Sequence, residues 1–562
     1  SSAGGDREQF VRLMTGANPA GGLGLSSEPG TPSPELAARF LFQASLGPSD
    51  AEIKRVRKLG YAKWIEDQLG KKATLLQPYI AYLQTRRDTD IEEHPTKFAY
   101  NKIKSAGNNI GHRNSSTAWM RAALGGDDHL RQRVAWSLSQ ILVVANNGVN
   151  IATEGYCNYY DLLLNGAFGS YQDLLLEVSL HPIMGRYLSH LGNRKANPAI
   201  NRYRDENYAR EIMQLFSIGL WELNPDGTRH LDQKGEPIPT YSNEDIQTLA
   251  RVFTGLGLEG EKFGRNNWKK FRSPMVMDEK QHDLDAKRAL GGRIDLPAGR
   301  AQLEDIEDTV AALVAHPSTA PFISRRLINH LVSSNPSPAY VERVVAAWNE
   351  SQADLGAVLT AILLDPEARG PRFLADPHFG RLKGPILRTT AVLRAFRGGE
   401  NLGKGPRDYP GLQWWSPSPW DSLQQEPLRS PSVFNFYEAV YQRPGAIADE
   451  KLLSPEFQIL NDVTAATVPN YLWMGISESF HDLGPRYPGK PLRCNFARER
   501  KLAADDLGAL LDRCNLLLTA GTMSAETRAA LARHLRKVKK PGERALLAVY
   551  GAAVSPQSAI LR

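Results

Sequence analysis

The chain has 562 residues, of which 42% are hydrophobic and 23% are charged, and these proportions are typical of a folded globular protein. A chain of this length can bury a large core and usually divides into more than one domain. The 68 lysines and arginines outnumber the 61 acidic residues only slightly, and they lie in short groups on amphipathic helices, so no nucleic-acid partner is expected. No apolar run approaches the ~20 residues of a membrane-spanning helix, so we expect no transmembrane segment.

Cofactor and metal chemistry find little support in the sequence. Its three cysteines form no CxxC or CxxCH pattern, which argues against a cysteine zinc site and a c-type haem. The sequence also lacks a GxGxxG motif that opens a helix, a Walker A loop, HExxH and GxSxG. We therefore predict no metal site, and the cofactor stays unassigned.

The start of the chain predicts a flexible arm followed by helices. Residues 1–34 form the arm, because their second half is rich in Gly, Pro and Ser. Ser33 and Pro34 suit the N-cap and the first position of a helix. The next helix is expected to begin at Ser49, with Glu52 completing a capping box three residues later.

The same start and stop signals recur to the C-terminus, around apolar patterns of helical period. Long helical stretches are expected at 115–145, 157–191, 205–219, 243–256, 304–333, 337–367, 379–397, 505–518 and 524–553. Residues 220–241 differ, since two turn signals separate short extended runs, and they predict a small β-hairpin inserted between two helices. The expected fold class is therefore mainly α, a multi-helix protein with this one insertion.

A segment dense in Trp and Pro interrupts the helical pattern at 401–435 and predicts a connector, since such a segment cannot form a regular helix. It would separate a main helical lobe at 35–400 from a C-terminal helical lobe at 436–562. Trp414 and Trp415 in the connector either stack on sugar rings or pack between the two lobes.

Several long motifs follow one another along the chain. The most specific is DENYAREIMQLF at 205–216, followed by TYSNEDI at 240–246 and ARVFTG at 250–255. Further motifs lie at 38–47, 61–68, 282–291, 431–436 and 454–458. In their order and length these motifs resemble the domain-of-unknown-function 1800 (DUF1800) family, and the resemblance covers about residues 35–562.

This resemblance implies a mainly helical bacterial protein that is made with an export signal, so a periplasmic or secreted location is expected. The chain begins at Ser1 without a methionine, which fits a processed N-terminus. Genes of the family often stand beside those of a second exported, sulfatase-like family, which makes such a protein a candidate partner. The family supplies no established reaction, so the function has to be inferred from the residues.

The predicted helix at 205–219 carries the first candidate site residues. Glu206 and Arg210 are spaced to form an ion pair, although Arg210 could instead bind an anion or a carboxylate. Glu211 lies on another face, where it either projects into a polar pocket or is buried against an arginine from another helix. We predict that this arginine is Arg251, because a lone buried charge is costly, and that the pair locks the two helices together.

Three further residues could complete a site. Asp245 lies three residues after Ser242, where it either completes a capping box or acts as an acid or base. His282 has the side chain best suited to proton transfer near neutral pH, although a single loop histidine is more often neither catalytic nor a metal ligand. Lys287 could hold a negatively charged group.

Two classes of function remain open. One is a hydrolase or lyase that acts on an extracellular polymer, such as a polysaccharide, by acid–base chemistry. The catalytic candidates are Glu206, Glu211, Asp245 and His282, and the substrate-binding candidates are Arg210, Arg251, Lys287, Trp414 and Trp415. The other class is a non-catalytic scaffold or partner subunit of an exported sulfatase-like protein. Convergence of the candidates on one open pocket favours the enzyme, whereas internal bridges favour the scaffold.

Overall fold

The computed structural model describes residues 31–93, 112–145, 153–265, 267, 270–370, 376, 378–398, 422–480 and 492–562. Trp414 and Trp415 lie outside the described residues, as do most of the predicted arm and connector. The described parts are mainly helical, which confirms the predicted fold class. Within these ranges, no helix combines the length and the apolar character that crossing a membrane requires.

The first half of the chain is built from short helices with caps close to those predicted. The hydroxyl of Ser33 accepts a hydrogen bond from a backbone N–H of the first turn, at 3.2 Å, and Ser49 caps the next helix in the same way. Glu52 does not complete a capping box, because its carboxylate accepts a hydrogen bond from the indole of Trp64 at 2.8 Å. The helices of this half are Pro34–Ala44, Asp50–Leu59, Tyr61–Leu69, Gln77–Glu93, His112–Gly125, His129–Leu138, Thr153–Gly166, Tyr171–Leu180, Pro182–Tyr187, Asn207–Gln214 and Asn243–Val252.

Several predicted helical stretches are divided in the structure. New helices begin at Pro182, Pro366 and Pro541, because proline suits the first helical position and disfavours the continuation of a preceding helix. The helix predicted at 205–219 ends early, at Gln214. The remaining helices are Gln302–Val314, Thr319–Leu331, Pro338–Glu350, Leu355–Leu364, Pro366–Arg369, Pro385–Ala395, Ala446–Asp449, Asp462–Ser477, Ala497–Asp505, Leu507–Thr519, Ala525–Leu535, Pro541–Ala553 and Pro556–Ala559, with short 3-10 helices at Pro198–Ile200, Leu290–Gly292 and Pro455–Ile459.

Strands are few and short among the described residues. Three antiparallel pairs join Leu256–Gly257 to Val276–Met277, Lys287–Ala289 to Ile294–Leu296, and Arg381–Leu382 to Ile560–Leu561. The predicted insertion at 220–241 is present as three short extended segments joined by single-residue bridges. Its two turns close with hydrogen bonds from Gly227 to Asn224 and from Gly235 to Asp232, where the sequence placed the turn signals.

One contiguous hydrophobic core ties the two ends of the chain to its middle. The core runs from Ala37 in the first helix to Ala553 near the C-terminus. The buried guanidinium of Arg39 donates hydrogen bonds to the carbonyl oxygens of Ala368, at 2.6 Å, and of the terminal Arg562. The core thus includes residues on both sides of the predicted connector, and the division into two lobes stays a prediction.

A close backbone contact beside this core, at Ala391 of a small second hydrophobic cluster, gives a direct test of the packing. Gly47 has φ +130°, and a Cβ added to it would lie 2.5 Å from the Cα of Ala391. We expect Gly47→Ala to lower the free energy of unfolding by roughly 2–4 kcal/mol, because two backbones would have to separate. Gly235→Ala is the matched control, since Gly235 also has positive φ (+84°) but no atom within 4 Å of the added Cβ, and it should cost about 1 kcal/mol. Equal losses in urea unfolding would contradict the contact.

Candidate functional site

The helix Asn207–Gln214, here called the signature helix, carries the first predicted site residues. Its apolar face is buried and includes Tyr208 and Ile212. Glu206 and Arg210 lie on the outer side, each with about 40% of its side chain exposed, and their charged groups are 3.9 Å apart. This confirms the predicted pairing, which contributes little to stability at such exposure. Their catalytic and anion-binding roles stay predictions.

Glu211 of the signature helix is buried, and no side chain in the described ranges forms an ion pair with it. It is 6% exposed, and its Oε2 has no hydrogen-bond partner among the described residues. Burial raises the pKa of this carboxyl group above its usual value, and the charge of Arg210 offsets the rise only in part. The predicted ion pair with Arg251 is wrong, because the Arg251 guanidinium binds Asp283 through two donors, a geometry that a carboxylate accepts especially well.

Asp245 completes a capping box, as one of the two readings of the sequence predicts. The hydroxyl of Ser242 accepts a hydrogen bond from the Asp245 N–H at 3.2 Å, and Asp245 Oδ2 accepts one from the Ser242 N–H at 2.7 Å. Asp245 Oδ1 accepts a third from the Leu290 N–H at 2.6 Å. Although burial alone would raise the pKa of Asp245, these hydrogen bonds lower it below the usual value. An acid–base role for Asp245 stays a prediction.

Arg251 ties the loop that contains Asp283 to the helix Asn243–Val252. Its Nε and one Nη donate to the two carboxylate oxygens of Asp283 at 3.1 and 2.9 Å, and the other Nη donates to the Ala286 carbonyl at 3.0 Å. Burial works to raise the pKa of Asp283, but the hydrogen bonds and charge of Arg251 lower it overall. Arg251 therefore positions this loop.

His282 lies in the protein interior. Its ring Nδ1 is 3.0 Å from the carbonyl oxygen of Thr254, and its Nε2 is 3.3 Å from Oδ2 of Asp305. The same Asp305 oxygen accepts a hydrogen bond from Lys287 Nζ at 2.7 Å. The side chains of His282 and Asp305 are both 0% exposed, and that of Lys287 is 1% exposed. The three side chains are thus enclosed.

Together, the residues Arg251, His282, Asp283, Lys287 and Asp305 form what we call the buried charge network. It contains three of the predicted site residues, Arg251, His282 and Lys287, and the contacts that hold them there are internal ion pairs. No hydrogen bond or ion pair within the described residues joins either predicted glutamate of the signature-helix region to this network. Sequence reasoning missed Asp305, because it lies in the first turn of an ordinary amphipathic helix and no spacing distinguishes it.

A second polar site lies where segments distant in sequence meet, and we call it the central polar pocket. It is a narrow cavity of about 20 Å³, close to the space that one water molecule needs. The polar side chains that line it come from the turn after the helix His129–Leu138, from the helix Thr319–Leu331 and from two late segments of the chain. They include Gln140, Arg326, His330, Asn435, Tyr437 and Glu456.

Glu456 and Asn435 are fixed on one side of the central polar pocket but keep free acceptors. Glu456 is 2% exposed, and its Oε1 pairs with the guanidinium of Arg381. Asn435 has φ +73°, and its Nδ2 lies 3.4 Å from Oε1 of Gln140, which also accepts a hydrogen bond from the Tyr437 hydroxyl at 2.9 Å. Glu456 Oε2 and Asn435 Oδ1 are buried and have no hydrogen-bond partner in the described ranges.

Arg326 and His330 lie one turn apart on the helix Thr319–Leu331 and line the pocket. Neither the His330 ring nor the Arg326 guanidinium forms an ion pair or hydrogen bond within the described residues. Burial, and then the charges of Arg381, Arg326 and Arg133, hold the pKa of His330 well below its usual value, so its ring is neutral at pH 7. Among the described residues, the guanidinium groups of Arg381, Arg326 and Arg133 accompany one carboxylate, that of Glu456, which leaves this region positively charged.

Sequence reasoning missed the central polar pocket, although two signals for it exist. Arg326 and His330 have the i, i+4 spacing of helical residues that share one face. Asn435 lies in the motif at 431–436 and Glu456 in the motif at 454–458. These four residues come together only in the tertiary fold.

The comparisons with known proteins place the chain in one family. The family model described as "Protein of unknown function (DUF1800)" matches residues 39–558, which is nearly the whole chain. The chain belongs to this family. No curated protein and no solved structure matches it. In the parts of the chain that the structure describes, no group of three or more His, Cys, Asp or Glu side chains could hold a metal ion.

Removing the Asp305 charge tests the buried charge network. We expect Asp305→Asn to lower the free energy of unfolding at pH 7 by about 3–5 kcal/mol, because Lys287 would stay buried without its counter-ion. Burial opposes the low pKa of Asp305, but the hydrogen bonds from His282 and Lys287 prevail. The contribution of the Asp305 carboxylate to the free energy of unfolding is therefore complete above about pH 4, and it is lost as the pH falls through the folded-state pKa of this group.

Asp285→Asn is the control for this test, since the Asp285 side chain is 93% exposed, and it should change stability by less than about 0.5 kcal/mol. Urea unfolding at a series of pH values measures both variants. Equal stability of the two variants at pH 7 would contradict the network.

Glu211→Gln should not destabilise the protein at pH 7, and should stabilise it by on the order of 1 kcal/mol, because it removes a buried carboxylate without a partner. Because the folded-state pKa is raised, the Glu211 carboxyl group is protonated in both the folded and the unfolded state below its unfolded pKa of about 4.3. At such a pH the stability gained by Glu211→Gln should therefore vanish. Glu206→Gln, at the exposed neighbour, should change little at any pH. Thermal unfolding at pH 7 and below about pH 4.3 measures both variants. A loss of several kcal/mol of stability in Glu211→Gln at pH 7 would show that Glu211 has a counter-ion.

Proposed function

We propose that this chain is a hydrolase or lyase whose acid–base chemistry takes place in the central polar pocket. The observation that carries the proposal is His330, which lines the pocket with a neutral ring and no hydrogen bond to the described residues. Histidine is the commonest general base in enzymes, and a neutral imidazole with a free nitrogen can accept a proton, although burial and the neighbouring arginines make His330 a weaker base than an exposed histidine. We therefore propose His330 for the acid–base role, and the catalytic role of His282 stays a prediction.

The pocket supplies the groups that either reaction needs. In a hydrolase, His330 takes a proton from water, the water oxygen bonds to the substrate carbon, and the bond from that carbon to the leaving oxygen breaks. In a lyase, His330 takes the proton from a substrate carbon while the neighbouring carbon–oxygen bond breaks. In both reactions the leaving oxygen receives the proton from His330, and Arg326 stabilises the negative charge that develops.

For the substrate we propose an extracellular polymer such as a polysaccharide, on the basis of the export that the family resemblance implies. A cavity of about 20 Å³ favours one substituent or the end of a polymer chain over an internal segment. Trp414 and Trp415 stay candidates for stacking on sugar rings. A periplasmic or secreted location belongs to the same proposal.

A scaffold or partner subunit of an exported sulfatase-like protein is the second candidate. One observation favours it: two predicted catalytic residues are engaged internally, since His282 is fully buried and Asp245 uses both carboxylate oxygens in hydrogen bonds. These are the internal bridges that such a role allows.

Replacing His330 separates the two candidates. His330→Gln should lower the rate of polymer cleavage by about 100-fold or more, whereas His230→Gln, at an exposed histidine of the insertion, should leave it unchanged. Because the pKa of His330 is low, the wild-type rate should stay constant from pH 8 to about pH 6. The assay follows new reducing ends and unsaturated ends from a panel of acidic and neutral polysaccharides. A wild type without activity on the panel, or a fully active His330→Gln, would favour the scaffold.

A further inference from the structure

We infer that the central polar pocket binds hydroxy acids, small carboxylates with a hydroxyl on the adjacent carbon, such as the acid end of a sugar acid. The inference rests on the proposed function, because it names the substrate class for the same site. Three observations lead to it: the local excess of positive charge, the free acceptors in the wall of the pocket, and the width of the cavity.

The positive charge around the pocket favours the binding of an anion. Arg381 is paired with Glu456, and Arg133 is bound to Ser137 and to the backbone carbonyl of His330. Arg326 lines the cavity and has no counter-ion within the described residues. Its guanidinium carbon lies 5.1 Å from the centroid of the Phe322 ring, which compensates for a buried charge only in part, and a carboxylate is the group that a guanidinium binds best. An anion placed against Arg326 would complete this compensation.

The acceptors in the wall of the pocket also favour a ligand that can donate a hydrogen bond. Glu456 Oε2 and Asn435 Oδ1 are buried acceptors that the described residues leave without a donor. Buried acceptors of this kind are normally satisfied, here by a water molecule or by a ligand. A carboxylate has no hydrogen-bond donor at neutral pH. A simple carboxylic acid would therefore bring a negative charge close to Glu456 without donating a hydrogen bond to it. A ligand with a carboxylate and an adjacent hydroxyl serves both sides of the cavity.

The width of the cavity sets the size of the group that enters. At about 20 Å³ the cavity is too narrow for a whole sugar ring in this conformation. Since it offers about the space of one water molecule, it has to widen on binding to take one carboxylate and one hydroxyl-bearing carbon, and the rest of a longer ligand stays outside. Glycolate is the smallest probe with this chemistry, and gluconate carries the same two groups at the acid end of an open-chain sugar acid.

Titration calorimetry on the full chain tests the inference with matched probes. We expect glycolate to bind at least ~10-fold more tightly than acetate, which lacks the hydroxyl, and gluconate more tightly than glucose, which lacks the carboxylate. Arg326→Gln should weaken the binding of glycolate at least ~10-fold. Arg325→Gln is the control, because Arg325 donates to the Gly227 carbonyl of the insertion and should leave the affinity unchanged.

Each other outcome would overturn the inference in a definite way. Equal affinity for acetate and glycolate removes the hydroxyl requirement, and tighter binding of inorganic phosphate than of glycolate replaces the carboxylate by another anion. Unchanged binding in a folded Arg326→Gln variant places the ligand elsewhere. If Arg326→Gln fails to fold, Arg326→Lys should fold and bind glycolate more weakly than the wild type, and equal affinity would be contrary to the inference. Failure of the proposed function is distinguishable, since glycolate would then bind without any polymer being cleaved.

Discussion

The burial of charge inside a helical core is the constraint on which this structure most depends. A charged side chain is tolerated away from water only where a partner compensates for lost hydration. The clearest case is the ion pair between Arg381 and Glu456, whose side chains are each 2% exposed. The strand Arg381–Leu382 also pairs with Ile560–Leu561, so this ion pair connects the C-terminus to the late segment Pro455–Ile459 and to the central polar pocket.

Two groups of buried charges resolve this constraint in different ways. In the buried charge network, the cations of Arg251 and Lys287 each face a carboxylate, and the one Asp305 oxygen without a hydrogen bond in the described ranges lies 3.3 Å from Nε of Arg300. In the central polar pocket, Arg326 lacks a counter-ion and Glu456 keeps one free oxygen in the described parts of the chain. Unsatisfied groups beside a cavity are what functional sites retain, whereas satisfied ones stabilise the fold. This contrast is why we assign the function to the pocket.

The local features of this structure could be predicted from the sequence, and the non-local ones could not. The cap at Ser33, the capping box of Asp245, the turns of the insertion and the Glu206–Arg210 pair depend on residues a few positions apart. The Arg251 partner was predicted wrongly because several carboxylates had compatible positions in sequence and only the fold chooses among them. The pocket was missed for the same reason, since Tyr437 binds a side chain 297 residues away.

The most direct test of the central claim is a crystal structure of the full chain soaked with glycolate. We expect density for one glycolate in the central polar pocket, with its carboxylate on Arg326 and its hydroxyl within hydrogen-bond distance of Glu456. The ring of His330 should lie beside the ligand. Density for ordered water alone in the pocket, or for glycolate only at other sites, would contradict the claim and leave the pocket as a solvated gap in the packing.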